Sequence, residues 1–130
     1  MNEESRQDLR TRTKAFALRI IRLYTALPKT PEAQVLGKQI LRSGTSVGAQ
    51  YHEACRAKSD ADFISKVEGG LQELEETVYW MELISEASIF SEERLLPLRQ
   101  EAQELTAMFV TMVKNVKNKN SAGIAEMKRK

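Results

Sequence analysis

The stretch TPEAQVLGKQILRSGTSVGAQYHEACRAK, residues 30–58, decides the fold class. It begins as a helix does, with Thr30 suited to cap the N-terminus, Pro31 at the first helical position and Glu32 in the positive first turn. Apolar and small residues then recur at steps of three and four, as they do along one face of a helix. These residues are Leu36, Ile40, Gly44, Val47, Tyr51 and Ala54. The stretch therefore predicts an amphipathic helix over residues 31–58.

Three further segments show the same period. An apolar stripe before this stretch predicts a helix over about 5–27, which ends at Leu27-Pro28. After it, Ser59 with an acidic residue three positions on is typical of a helix start and predicts a helix over 60–87. Ser91 and the two glutamates that follow predict a last helix over 92–117. Pro97 lies beyond the first turn of that helix, so we expect an irregular start or a kink there.

The links between these helices are short, so consecutive helices must run antiparallel. The sequence predicts an all-α protein, an antiparallel up-down-up-down four-helix bundle over residues 1–118. The apolar stripe stops after residue 117, and the segment 119–130 is predicted to be a mobile basic tail. At 130 residues the chain is expected to form one domain.

Composition limits the class of protein further. The single cysteine, Cys55, excludes an internal disulfide framework and every zinc site built from several cysteines. No stretch approaches the roughly 18 consecutive apolar residues that a membrane span needs, and the charged start differs from a secretory signal. We expect a cytoplasmic protein that has no membrane partner.

Residues 44–48, GTSVG, match the G-x-S-x-G pattern of esterase nucleophiles. That pattern works at a sharp turn from strand to helix, whereas these residues continue a helical period. The only histidine, His52, lies about 240° round the helix axis from Ser46, out of reach of its hydroxyl. One histidine is also too few for a dinuclear metal site in a bundle. We expect no catalytic residue, cofactor or metal, no small-molecule substrate, and no enzymatic activity.

Four of the glycines inside predicted helices, at 44, 48, 69 and 70, need a packing reason, because each costs up to about 1 kcal/mol relative to alanine. Opposite its apolar face, the second helix carries small and polar residues: Arg42, Ser46, Ala49, Gln50 and Glu53. This composition favours contact with another helix of the same chain or of a second subunit, where Arg42 and Glu53 could pair. The alternative is an ordinary exposed helix face.

Charge is distributed unevenly along the chain. Residues 1–30 contain seven basic and three acidic residues, residues 31–109 seven and fourteen, and residues 110–130 six and one. In an up-down bundle both termini lie at the same end, which gathers Arg6, Arg10, Arg12, Lys14, Lys114, Lys117 and Lys119, with Lys128, Arg129 and Lys130 of the tail. This end is predicted to bind the phosphates of RNA or DNA. The alternative is a solvated charge run that complements helix dipoles.

A run in the second helix and the start of the third resembles the four-helix-bundle family of 23S rRNA intervening-sequence proteins. It consists of Arg42-Ser43, Ser46-Val47, Ala49, Gln50 and Glu53, followed by a capped helix that begins Asp62-Phe63. The resemblance extends from about Leu27 to Val116, and Gln50 stands where the family usually has asparagine.

This resemblance implies a small bacterial cytoplasmic bundle that forms a homo-oligomer, typically a ring of five, with no catalytic residues and a mostly unassigned molecular function. A similar bundle is the accessory protein of diversity-generating retroelements, which binds nucleic acid and a reverse transcriptase. Two hypotheses follow. The protein is a non-enzymatic homo-oligomer associated with RNA, or it is a protein-interaction scaffold or accessory subunit without direct nucleic-acid contact, whose acidic middle recruits a basic partner.

Overall fold

The computed structural model describes residues 2–129, and the side chains of residues 2–123 and 126–128 among them. Within this range the chain forms four helices: α1 (Glu3–Ala26), α2 (Pro31–Ala54), α3 (Asp60–Glu86) and α4 (Glu92–Arg129). Each helix packs antiparallel against the next one along the chain, and α1 also touches α4, with which it makes the fewest contacts. The predicted all-α, antiparallel four-helix bundle is confirmed.

The predicted starts of three helices are confirmed by their caps. The side chains of Thr30, Ser59 and Ser91 each accept a hydrogen bond from the backbone N–H three residues further on. The N-cap of α1, Asn2, was not identified from the sequence, because it stands in a charged segment without an apolar stripe. The Asn2 carboxamide oxygen accepts from the Ser5 N–H at 2.8 Å and α1 begins at Glu3, two residues earlier than predicted.

The second helix is shorter than the sequence predicted. It ends at Ala54 rather than at residue 58. The N–H groups of Arg56 and Ala57 bond to the carbonyl oxygens of Glu53 and Ala54, three residues back, so the chain tightens into turns at this point. The α2–α3 connection therefore occupies residues 55–59.

The fourth helix is longer than predicted and includes most of the segment 119–130, for which the sequence predicted a mobile tail. It begins at Glu92 and is continuous through Pro97, whose side chain is exposed. Extending an existing helix requires no new nucleation, so α4 can continue where the apolar stripe has stopped. The absence of a stripe was therefore the wrong signal for the helix end.

The bundle core has large rings at its centre and one polar pair between helices. The rings of Tyr51 and Phe109 are stacked with their centroids 5.7 Å apart. Burial raises the pKa of the Tyr51 hydroxyl, which stays protonated and donates to the Arg6 carbonyl oxygen at 3.3 Å. Between α2 and α3 the fully buried hydroxyls of Ser43 and Thr77 lie 2.8 Å apart, within hydrogen-bond distance.

The mid-helix glycines do have a packing reason. A Cβ atom on Gly44 would lie 2.6 Å from Cγ1 of Ile20, which is fully buried on α1. A Cβ atom on Gly70 would lie 2.7 Å from a ring carbon of Phe109 on α4. Both distances are too short for two carbon atoms, so neighbouring helices occupy the space that a side chain would need.

We expect Gly44→Ala to lower the free energy of unfolding by about 1 kcal/mol, because overpacking costs about 1–3 kcal/mol and exceeds the gain of about 1 kcal/mol in helix propensity. Urea denaturation followed by circular dichroism measures the change. Gly123→Ala is the matched control, since no atom lies within 4 Å of the added Cβ. Equal stability of the two variants would contradict the packing argument.

Candidate nucleic-acid interface

The first turns of α1 and the later turns of α4 lie at the same end of the bundle, as the up-down topology requires. Arg6 and Lys119 border one groove there, together with the α2–α3 connection. Lys114 is exposed on the outer side of α4. The bundle therefore brings Arg6 and Lys119 of the predicted basic set to one groove.

Two residues of that set are engaged within the chain. The Arg12 guanidinium holds Glu101 through two bonds, Nη2 to Oε1 at 2.6 Å and Nε to Oε2 at 3.2 Å, and lies 3.4 Å from Glu104. The hydrogen bond to Glu101 raises the pKa of Arg12. Lys117 lies 3.7 Å from Glu68. Arg12 joins α1 to α4, and neither residue presents an uncompensated charge.

Arg10 and Lys14 lie in a different environment, a groove of about 780 Å³ between α1 and α2. We call it the α1–α2 groove, and His52 at the end of α2 also lines it. Its lining residues are Gln7, Arg10, Thr11, Thr13, Lys14, Ala15, Ala17, Leu18, Thr45, Gly48, Ala49, Tyr51 and His52. None of these residues is acidic. The Nε atom of Arg10 is buried and has no hydrogen-bond partner among the described residues.

The floor of this groove is formed in part by small residues of α2, which leave its backbone little covered. Gly48 lies beside α1, where an added Cβ would be 3.4 Å from the Thr13 carbonyl oxygen. Ala49 is exposed along the same side. His52 was not identified as a site residue from the sequence, because its relation to Arg10 and Lys14 depends on how α2 is rotated against α1. The groove can accept an anion through a guanidinium, an ammonium and an imidazole group.

The face predicted to be in contact with another helix contacts α3 of the same chain. Arg42 binds Glu73 at 3.2 Å and Glu76 at 2.7 Å. Glu53 instead binds Lys66 at 3.0 Å. Arg42 and Glu53 therefore do not pair with each other, and each finds its partner on the helix that covers this side of α2.

The other three residues of that set have separate roles. An added Cβ on Gly69 of α3 would lie 3.0 Å from the Gln50 side-chain oxygen, so Gln50 also packs on α3. The Ser46 hydroxyl donates to the Arg42 carbonyl oxygen at 2.6 Å within α2. Ala49 lines the α1–α2 groove. These five residues do not form one continuous contact surface.

Trp80 contacts the ion pairs that Arg42 makes with Glu73 and Glu76. Trp80 Nε1 donates to the Glu76 carboxylate at 3.1 Å, and its ring packs against the core, while Tyr79 is exposed. The hydrogen bond from Arg42 is the largest cause that lowers the pKa of Glu76, and the bond from Trp80 lowers it further.

The described residues contain no group of three or more histidine, cysteine or acidic side chains that could hold a metal ion. In the same part of the chain, no helix is both long and apolar enough to cross a membrane.

We expect the emission of Trp80, the single tryptophan, to change with pH as Glu76 is protonated, with a midpoint below the ordinary glutamate pKa of about 4.3. A carboxyl group whose pKa is lowered on folding stabilises the fold above its ordinary pKa, and this contribution is lost as the pH falls through the lowered value. Glu76→Gln should remove the transition. Circular dichroism at each pH is the control for unfolding. A midpoint at or above the ordinary value, at constant helicity, would contradict the assignment.

Comparison with known proteins gives two consistent results. The family model described as 23S rRNA-intervening sequence protein matches residues 6–111. The match includes most of α1, which the resemblance seen in the sequence left out. Comparison with curated proteins gives no significant match.

A solved structure from Bacteroides thetaiotaomicron VPI-5482, described as a protein with unknown function from the S23 ribosomal protein family, is similar to this chain at 36% sequence identity and a TM-score of 0.79. The similarity covers 84% of this chain and 97% of that one. Helix order, packing and sequence thus agree over most of the bundle, and the chain belongs to the 23S rRNA-intervening sequence protein family.

Proposed function

We propose that this protein is a non-enzymatic, self-associating bundle that binds RNA, and that the RNA phosphates bind in the α1–α2 groove. The observation that carries the proposal is the absence of any acidic side chain from the groove lining, to which Arg10, Lys14 and His52 belong. Elsewhere in the predicted basic set, Arg12 and Lys117 are paired with glutamates. The groove thus offers positive charge that is not compensated by its own walls.

The geometry of the groove suits a phosphate backbone. Gly48 and Ala49 add little bulk, so a chain of phosphates can approach the cationic groups closely. The Arg10 guanidinium, whose Nε–H has no partner among the described residues, would donate hydrogen bonds to a phosphate oxygen, which makes a charge-assisted pair. The family name refers to an intervening sequence of 23S rRNA, which favours RNA as the polyanion. Arg6, Lys114 and Lys119 would extend the positive surface towards the terminal end.

We expect the double variant Arg10→Ala, Lys14→Ala to weaken binding of single-stranded RNA about tenfold or more. Each lost phosphate contact lowers the dependence of log affinity on log salt by about 0.7, so the slope should fall by about 1.4. Fluorescence anisotropy of a labelled RNA, titrated at several salt concentrations, measures both quantities.

The matched control is Arg22→Ala, Lys38→Ala, which removes two exposed cations of α1 and α2 outside the groove lining. It should leave the affinity nearly unchanged. Three results would contradict the proposal: no RNA affinity at low salt, an equal loss in the control variant, or equal affinity for a DNA strand of the same base sequence.

Self-association is supported by the outer face of α4. Five exposed residues follow one stripe of this helix and none is charged: Leu96, Gln100, Gln103, Ala107 and Val110. In a chain with 29% charged residues, an uncharged exposed helix face with apolar side chains at both ends is suited to contact a second copy. The resemblance to ring-forming family members favours the same conclusion.

We expect light scattering of the wild-type protein to show an oligomer, with a mass of two or more times the 14.8 kDa of one chain. Leu96→Lys combined with Val110→Lys should shift it to the monomer, because burying an unpaired ammonium group in an interface is costly. Val35→Lys, at an exposed apolar position on α2, is the control and should keep the oligomer. A wild-type monomer, or an oligomer that survives the double variant, would contradict the assignment of this face.

A further inference from the structure

A second groove, with an apolar floor, lies at the end of the bundle where α1 begins and α4 passes. We call it the terminal groove. It has a volume of about 810 Å³ and lies between the first turns of α1, the α2–α3 connection and the later turns of α4. Along α4 it extends from Ala107 to Lys119, about 18 Å at the helical rise of 1.5 Å per residue.

The floor of the terminal groove belongs to the bundle core. Its apolar residues are Leu9, Ala54, Phe63, Met108, Met112 and Val116. Leu9 and Met112 are buried, whereas Phe63, Met108 and Val116 are half-buried, so their outer sides face the groove. The floor is open because α1 and α4 make few contacts. Methionine side chains are flexible and polarizable, and surfaces that contain them adapt to different apolar partners.

The rim of the terminal groove is mainly basic. Arg6 lies on the α1 side, Lys58 on the α2–α3 connection and Lys119 on α4, and all three are exposed. Asp60 is the one acidic residue among the lining residues, all of which lie in the described chain. An occupant that matches this surface is apolar on one side and carries acidic residues beside its apolar side.

From this match we propose that the terminal groove is a docking site for an acidic amphipathic helix of a partner protein. A helix of three turns is about as long as the groove, and apolar residues at i, i+3, i+4 and i+7 would lie on the floor. The flanking carboxylates would lie near Arg6, Lys58 and Lys119. Charge complementarity of this kind selects the partner and its orientation.

A second copy of the chain is a poorer match. The C-terminal part of the chain, residues 114–130, contains six basic residues and one acidic residue. The basic rim would repel that segment. Arg6 and Lys119 would also extend the RNA-binding surface, but no residue of the α1–α2 groove lines the terminal groove, so different variants test the two proposals.

The test uses three labelled helical peptides of about 14 residues, titrated with the full-length protein and followed by fluorescence anisotropy. The first has leucines at i, i+3, i+4 and i+7 and glutamates on both flanks, the second replaces the glutamates by lysines, and the third replaces the leucines by serines. We expect saturable binding of the first peptide, and affinities at least about tenfold weaker for the other two, because each lacks one half of the match.

Protein variants locate the site. Lys58→Glu combined with Lys119→Glu should weaken binding of the acidic peptide about tenfold or more, and Val116→Ser should weaken it without a change of charge. Lys38→Glu is the charge control, since this exposed residue of α2 does not line the terminal groove. Arg10→Ala, Lys14→Ala should leave peptide affinity unchanged even if it abolishes RNA binding.

Equal affinity for the glutamate and lysine peptides would overturn the proposal, as would wild-type affinity of the Lys58→Glu, Lys119→Glu variant. A fall in oligomer mass caused by this variant, measured by light scattering without peptide, would also overturn it and would identify a second copy as the occupant.

Discussion

The close approach of α2 to both of its neighbours is the constraint on which the rest of the bundle depends. Gly44 leaves room for the buried side chain of Ile20 on α1, and Ser43 meets Thr77 on α3 through two small hydroxyl groups. Larger residues at these positions would separate the helices, because the packed core has no space in which to absorb them. The glycines and serines of this stretch, which look like a catalytic motif when isolated, are the reason why three helices can share one core.

Most of the fold could be predicted from the sequence, because the spacing of apolar residues and the capping residues at helix ends depend on local interactions. The caps Thr30, Ser59 and Ser91 satisfy backbone N–H groups that no other group could reach, and short links leave antiparallel packing as the available arrangement. Helix ends were harder to predict. The end of α2 is set by backbone N–H groups that bond to carbonyl oxygens three residues back. The end of α4 is set by how far the chain extends a helix that is already formed. Neither is visible in an apolar pattern.

The candidate interface was predictable in composition but not in detail. Counting charges identified the basic residues, yet Arg12 is compensated by Glu101, which lies 89 positions further along the chain. Periodicity placed Arg42 and Glu53 on one side of α2 but could not show that each faces an opposite charge on α3. His52 was missed for the same reason, since only the rotation of α2 against α1 brings it beside Arg10 and Lys14. Which charged residues pair between helices depends on how the helices pack, and the sequence pattern of one helix does not determine this.

The sparse contact between α1 and α4 has a consequence for how the chain reaches its native state. Every extensive interface joins helices that are adjacent in sequence, so most of the core can assemble from contacts that close only short loops. Bundles with such local contacts fold in microseconds to milliseconds, faster than proteins whose cores depend on distant segments. Arg12 joins the first helix to the last through Glu101 and Glu104, which lie 89 and 92 positions further along the chain. Because the entropic cost of closing a loop rises with its length, we expect these ion pairs to form after the three sequential helix pairs.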